Sequence, residues 1–118
     1  REKHKTYIFD IDGVMLKNYG KYGSKNWQNT FEPILENIAL VKKLSQNNEI
    51  IFMTSRPEKY TLNFKEYLKK EKIKYKTIVT GCNHSKRIIV NDFANTNPFP
   101  SCDSISVARN SILKNYMK

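Results

Sequence analysis

The sequence predicts an α/β fold: a parallel sheet with helices packed against it. Three observations point there. Short runs rich in β-branched and aromatic residues alternate with stretches of helical period, the connections between them are mostly short, and polar residues collect where the apolar runs end. The 118 residues suffice for one compact domain, 1–118, which should bury roughly two thirds of the surface its unfolded chain exposes. Apolar residues make up 39% of the chain, a modest share that fits a folded domain because 12% of it is aromatic.

The first strand is expected over 6–10, where Tyr7, Ile8 and Phe9 run into Asp10. Residues 13–32 carry three glycines and three asparagines without helical period, so they read as a loop or small hairpin flap. Pro33 suits the first turn of a helix. From there Ile34, Leu35, Ile38, Val41, Lys42 and Leu44 recur with 3.6-residue spacing, and Asn47-Asn48 closes the helix. A second strand over 50–54 leads to Pro57, which opens a second helix with the apolar stripe Tyr60, Phe64, Tyr67 and Leu68. Strands are expected at 75–80, 87–92 and, more briefly, 104–108, followed by a closing helix over 110–117.

In an open parallel sheet, ligands bind beyond the carboxyl ends of the strands, where strand order reverses. Asp10 and Asp12, then Thr54-Ser55-Arg56, then Asn91-Asp92 all stand at such ends. A carboxylate held at a strand end, Asp10, can attack phosphorus and form an aspartyl-phosphate. Asp12, two residues on, can protonate the leaving oxygen and then take a proton from water. Gly13 lets the chain turn sharply behind them. Two acids so close repel, which favours protonating one of them unless a divalent cation lies between. Magnesium takes oxygen ligands, commonly one or two carboxylates plus substrate phosphate, and Asp92 supplies a second carboxylate. The phosphoryl oxygens need donors: the Thr54 hydroxyl, the loop after it with Ser55, and the Lys86 ammonium. Arg87 stands beside Lys86 and competes for that role; as the start of a strand it is the second choice.

An apolar strand ending in D-x-D-G-V ("YIFDIDGV"), a strand ending in threonine ("IIFMTSRP"), a lysine, and a strand ending in aspartate ("IIVND") follow one another over residues 6–92. This order resembles the haloacid dehalogenase (HAD) superfamily of phosphohydrolases. "DIDGV" after an apolar run is the most specific part. "IIFMTSRP" is similar to the second motif of the sugar-phosphatase branches, and "NDFANTNPFPSCDSISVARNSILKNYM" is similar to a branch associated with bacterial capsular or surface-polysaccharide biosynthesis. The resemblance implies Asp10 as nucleophile, Asp12 as general acid/base, Thr54 and Lys86 as phosphate binders, and magnesium held by Asp10, Asp92 and the Asp12 backbone carbonyl. It implies a Rossmann-like sheet of order 3-2-1-4-5 and a phosphorylated sugar or related precursor as substrate. Two features depart from the pattern. Asn91, Asn95 and Asn97 stand where a second acid usually accompanies Asp92. The cap is reduced to the flap after the first strand, which implies a large substrate or a lid borrowed from another subunit or a fused upstream domain.

Several residues admit two readings. Arg56 either binds the leaving group or fixes its own loop. Tyr19, Tyr22, Lys25 and Trp27 either wall a sugar or nucleotide or pack the flap onto the sheet. His84 reads as structural or exposed more readily than catalytic. The formal charge of +10 fits a polyanion partner, but the lysines are dispersed, the densest group, "KEYLKKEKIKYK", reads as a solvated helix face, and no nucleic-acid motif is present. Cys82 and Cys102 lack metal spacing and read as the reduced thiols of a cytoplasmic protein. No apolar run approaches the roughly 20 residues of a membrane span. The first residue is Arg1 rather than Met, as in a domain cut from a longer chain. The rival to a phosphatase is a catalytically inactive domain of the same fold, kept as a binding or regulatory module fused to a transferase.

Overall fold

The computed structural model describes residues 4–20, 27, 31–96 and 100–117. Its frame is a parallel sheet of three strands, β1 (Thr6–Asp10), β2 (Glu49–Met53) and β3 (Thr77–Val79), in the order β1-β2-β3. Two helices among the described residues connect them: α1 (Leu35–Leu44) between β1 and β2, and α2 (Leu62–Lys70) between β2 and β3. In register, Phe9 lies opposite Phe52 and Asp10 opposite Met53, while Phe52 also faces Ile78.

Alternation along the strands splits the sheet into two faces. One face presents Phe9, Ile50 and Phe52 to a core completed by Ile38 and Val41 of α1 and Phe64 and Leu68 of α2. Phe52 sits at its centre, with the Phe64 ring edge-on at 5.1 Å. Complete burial of such a ring contributes about 1.5–3 kcal/mol from surface removal alone. The opposite face carries Ile8, 42% exposed, together with Ile51, Met53 and Val79.

The first helix keeps its predicted stripe through Ile34, Ile38 and Val41, but Leu35 points outward at 71% exposure. The inner position passes instead to Asn37, which is completely buried. Pro33 does not open the helix. It forms an antiparallel bridge with Leu16, its fixed φ suiting extended chain, and α1 starts at Leu35. α1 ends at Leu44 with Ser45 as its C-cap, short of the expected Asn47-Asn48, and Asn48 Nδ2 donates to Leu44 O at 2.9 Å. Pro57 leads first into a 3-10 turn, Glu58–Thr61, before α2 begins. The α2 stripe holds: Phe64 and Leu68 are buried and Tyr67 packs against the core.

The second half of the chain departs from expectation. Residues 87–92 and 104–108 form no strand, and 110–117 holds only a 3-10 turn, Leu113–Asn115. Ile88, Ile89 and Val90 are 78%, 49% and 89% exposed. A β-branched run has strand propensity, but a strand exists only through a partner ladder, and this run has none among the described residues. The third strand is also shorter than expected, three residues long, although Lys76 N and Thr54 N extend the pairing to Ile50 O and Val79 O. Of the expected order 3-2-1-4-5, the first three strands are paired as expected among the described residues. The C-terminal residues still join the core through Leu113, with Val107 and Met117 packed against it. Among the described residues, no helix is long and apolar enough to cross a membrane, and Cys82 and Cys102 are free thiols.

Candidate active site

The site forms at the carboxyl ends of β1 and β2. Asp10 is the last residue of β1, and its Oδ1 accepts from Ile11 N–H at 2.8 Å. The chain then coils tightly. Ile11 O accepts from Val14, Met15 and Leu16 N–H, and Gly13 N–H donates to Leu16 O at 2.7 Å. Gly13 takes φ +87, a conformation that an L side chain rarely adopts. The flap root is fastened by Lys17 N–H to Glu32 O and Ile34 N–H to Met15 O.

Asp10 titrates above the ordinary aspartate range. Crowding by protein atoms around its carboxyl is the largest cause, and the neighbouring Asp12 charge adds to it; the Ile11 N–H and the positive fields of Arg87 and His84 oppose it. Arg87 and His84 thus lie near enough to act on the Asp10 charge. Arg87 Nη1 donates to Asn83 O and Ser85 O, each at 2.6 Å, which coils the 83–87 loop toward the strand ends. Lys86 is exposed on the same loop. Sequence reasoning set Arg87 aside as the first residue of a strand that does not form.

Asp12 is held by Arg56, whose Nε donates to Oδ2 at 2.8 Å and Nη2 to Oδ1 at 2.6 Å. Arg56 is buried, and its Nη1 donates to Tyr60 O at 3.0 Å. Of its two sequence readings, the structure matches the one in which Arg56 fixes the loop. Thr54 is buried just past β2, and its Oγ1 accepts from Arg56 N–H at 3.1 Å. That leaves the hydroxyl hydrogen to be given elsewhere. Ser55 is half-buried between them.

The flap residues divide. Trp27 packs on Tyr60, ring centroids 5.5 Å apart. Tyr19 Oη donates to Glu32, which also pairs with Lys17 at 2.8 Å. Tyr22 and Lys25 lie outside the described residues. Asp92 stands exposed in unpaired chain. Its neighbour Asn91 uses its side chain locally, donating to Ser101 O at 3.1 Å and accepting from Asp92 N–H at 3.0 Å. Asn95 is exposed, and Asn97 lies outside the described residues.

The donor set can be weighed against magnesium. Asp10 offers a crowded carboxylate with a second acid beside it, a site where a divalent cation relieves repulsion. The Asp12 carbonyl belongs to the same loop. No group of three His, Cys, Asp or Glu side chains that could hold a metal forms among the described residues, so Asp92 is not gathered with Asp10 and Asp12. One carboxylate with substrate phosphate and water still meets magnesium's usual demand. The fit is on the Asp10 side.

Two contacts had no counterpart in the sequence reading. Asn110, at φ +63, donates from its backbone to Gly13 O at 2.8 Å. It is also clasped to Asn18, accepting from Asn18 N–H at 2.8 Å and donating to Asn18 O at 2.9 Å. Asn37 donates to Val14 O and Ser111 O and accepts from Leu113 N–H. Together they sew the C-terminal segment to the loop behind the two aspartates. The only sequence signal for this is an asparagine suited to left-handed backbone. A hollow of about 670 Å³ opens at the other, amino end of the strands, beside Lys5, Asn47 and Lys74, away from this site. Comparison with family models, curated proteins and solved structures returns no match to the chain.

Proposed function

We propose that the chain is a magnesium-dependent phosphomonoester hydrolase of the HAD type, acting through an aspartyl-phosphate on a phosphorylated sugar or related surface-polysaccharide precursor. The observation that carries this reading is the meeting of Asp10, Asp12 and Thr54 at one edge of the sheet, with Asp12 oriented by a buried arginine. Asp10 Oδ2 makes no hydrogen bond among the described residues, so it is the oxygen to form the bond to phosphorus as the ester P–O bond breaks. Asp12 delivers a proton to the departing oxygen. In the second step Asp12 accepts a proton from water, the hydroxide attacks the aspartyl-phosphate, and phosphate leaves with Asp10 restored as carboxylate. Thr54 Oγ1–H, with Arg87 and His84, offers positive or donor groups to the phosphoryl oxygens; Lys86 and Ser55 stand beside them. Magnesium, held by Asp10 and the Asp12 carbonyl, would neutralise phosphoryl charge.

The finer architecture belongs to the same reading. Among the described residues β1 pairs with β2 alone, so its other edge is open there, and exposed edges invite pairing. Residues 87–92 would add there as a fourth strand and 104–108 as a fifth, extending the sheet to the order 3-2-1-4-5. That docking would carry Asp92 toward Asp10 and complete the metal ligands.

The test is phosphate release from sugar phosphates, nucleotides and an aryl phosphate, with and without magnesium, for wild type and Asp10→Asn. Magnesium-dependent release that disappears in the variant is the expected result. Release that survives Asp10→Asn, or none from any ester by a folded protein, would overturn the reading.

A further inference from the structure

We propose that Arg109 binds a second anionic group of the substrate, a carboxylate or second phosphoryl group set apart from the one that Asp10 attacks; this rests on the hydrolase reading above. The geometry around Arg109 is built from residues about ninety positions away. A Cβ on Gly13 would stand 3.3 Å from Arg109 Cγ, and a Cβ on Gly20 would stand 3.7 Å from Arg109 Nη1. Both glycines take left-handed φ, +87 and +81. The arginine stem therefore lies across the loop that follows Asp10 and Asp12, and its guanidinium reaches the root of the flap.

The backbone beneath it is held firmly. Asn110 N–H bonds Gly13 O, Asn110 and Asn18 bond each other twice, and Asn37 secures Ser111 and Leu113. The charge at the end of this arrangement is uncommitted. Arg56 is spent on Asp12 and Lys17 on Glu32, and Arg87 acts on Asp10. Arg109 makes no hydrogen bond or ion pair among the described residues and is exposed. A guanidinium offers five donors in a planar fork that matches a carboxylate or phosphate. Fixing its backbone in advance lowers the ordering cost of binding. The cation sits along the loop from Asp10, so the anion it receives belongs to the body of the substrate.

The experiment compares kcat/KM for glucose 6-phosphate, 6-phosphogluconate and fructose 1,6-bisphosphate in wild type, Arg109→Gln and Arg109→Lys. One of the two esters that carry a second anionic group should exceed glucose 6-phosphate by about tenfold or more in wild type. That ratio should fall near one in Arg109→Gln and recover in part in Arg109→Lys. Which ester gains identifies a carboxylate or a phosphate as the second group. No advantage in wild type, or the same ratio in Arg109→Gln, would overturn the proposal. Calorimetric binding of the same esters to Asp10→Asn, with and without Arg109→Gln, separates this outcome from failure of the hydrolase reading. Binding of either ester with a second anionic group, lost with Arg109, supports the proposal even if no ester is turned over. Binding indifferent to Arg109, or absent, sinks it.

Discussion

Arg56 and Asp12, 44 positions apart, form a two-point ion pair in which the arginine is 1% exposed. The pair ties the loop after β1 to the loop after β2, so the two strand ends that build the site move as one. A carboxylate has about four lone-pair directions, and the fork occupies one on each oxygen. The fork thus fixes the plane of the Asp12 carboxylate. Arg56 is buried and Asp12 only half-buried, so Asp12→Asn, which leaves the arginine charge inside without its carboxylate, should cost about 3–5 kcal/mol and Arg56→Ala less. Arg56→Lys keeps the charge but loses the fork and the bond to Tyr60 O. It should fold, with kcat reduced far more than KM raised. Denaturant unfolding of Asp12→Asn, Arg56→Ala and the double variant checks the pair directly. Additive costs would mean that the two side chains are not coupled.

The raised titration of Asp10 has a consequence for stability. A carboxyl that is harder to ionise folded than unfolded costs nothing when protonated in both states, below its ordinary value of 3.8. The cost grows as pH rises through 3.8 toward the folded value and is then complete. Asp10→Asn removes an ionisation cost, so it should stabilise the magnesium-free protein at pH 7, and the gain should disappear near pH 3. Magnesium should stabilise wild type at pH 7 and have much less effect on the variant. Thermal unfolding at the two pH values, with and without magnesium, is the measurement. A variant less stable than wild type at pH 7 would show that crowding does not govern this carboxyl.

Asn37 is a polar residue on the inner face of α1 with three backbone partners. Asn37→Leu keeps the branched shape and gains apolar surface, yet it leaves Val14 O, Ser111 O and Leu113 N–H without that partner. Each unsatisfied group costs about 1–3 kcal/mol, so the substitution should destabilise by roughly 3 kcal/mol or more. A stabilised Asn37→Leu would mean that the C-terminal segment does not rest on α1 as described.

The legible part of the sequence was the part governed by local pattern. Tyr7-Ile8-Phe9, the stripe Ile34, Ile38 and Val41, and the stripe Phe64 and Leu68 each encode a period, and each became the strand or helix that its period specifies. Positions of Asp10, Asp12 and Thr54 at strand ends follow directly. What could not be read was long-range. Arg56 looked equally suited to substrate and to its own loop, because its partner lies 44 residues earlier. Arg87 looked like the first residue of a strand, because a β-branched run specifies propensity and not a neighbour. Asn110 carries no periodicity at all; its left-handed backbone and its bonds to Asn18 exist only in the folded chain.

The open edge of β1 makes the last prediction. Val90 is 89% exposed with 87–92 unpaired. If that segment stays unpaired, Val90→Lys exchanges one exposed side chain for another and should change stability by less than about 0.5 kcal/mol. If the segment adds to β1 as the fourth strand, one side of it faces the Ile8, Met53 and Val79 side of the sheet or the layer covering it. Lysine there, or at Ile89 on the alternate side, should then cost about 1–3 kcal/mol. Amide hydrogen exchange gives the backbone counterpart. Paired amides at Ile88–Val90 should exchange as slowly as those of β2, whereas free ones should exchange at loop rates. Substrate and magnesium belong in the same experiment, because docking would bring Asp92 toward Asp10 and each ligand would then shift the population toward the docked form. Fast exchange under every condition, with both lysine variants neutral, would leave three strands as the whole sheet and Asp92 outside the site.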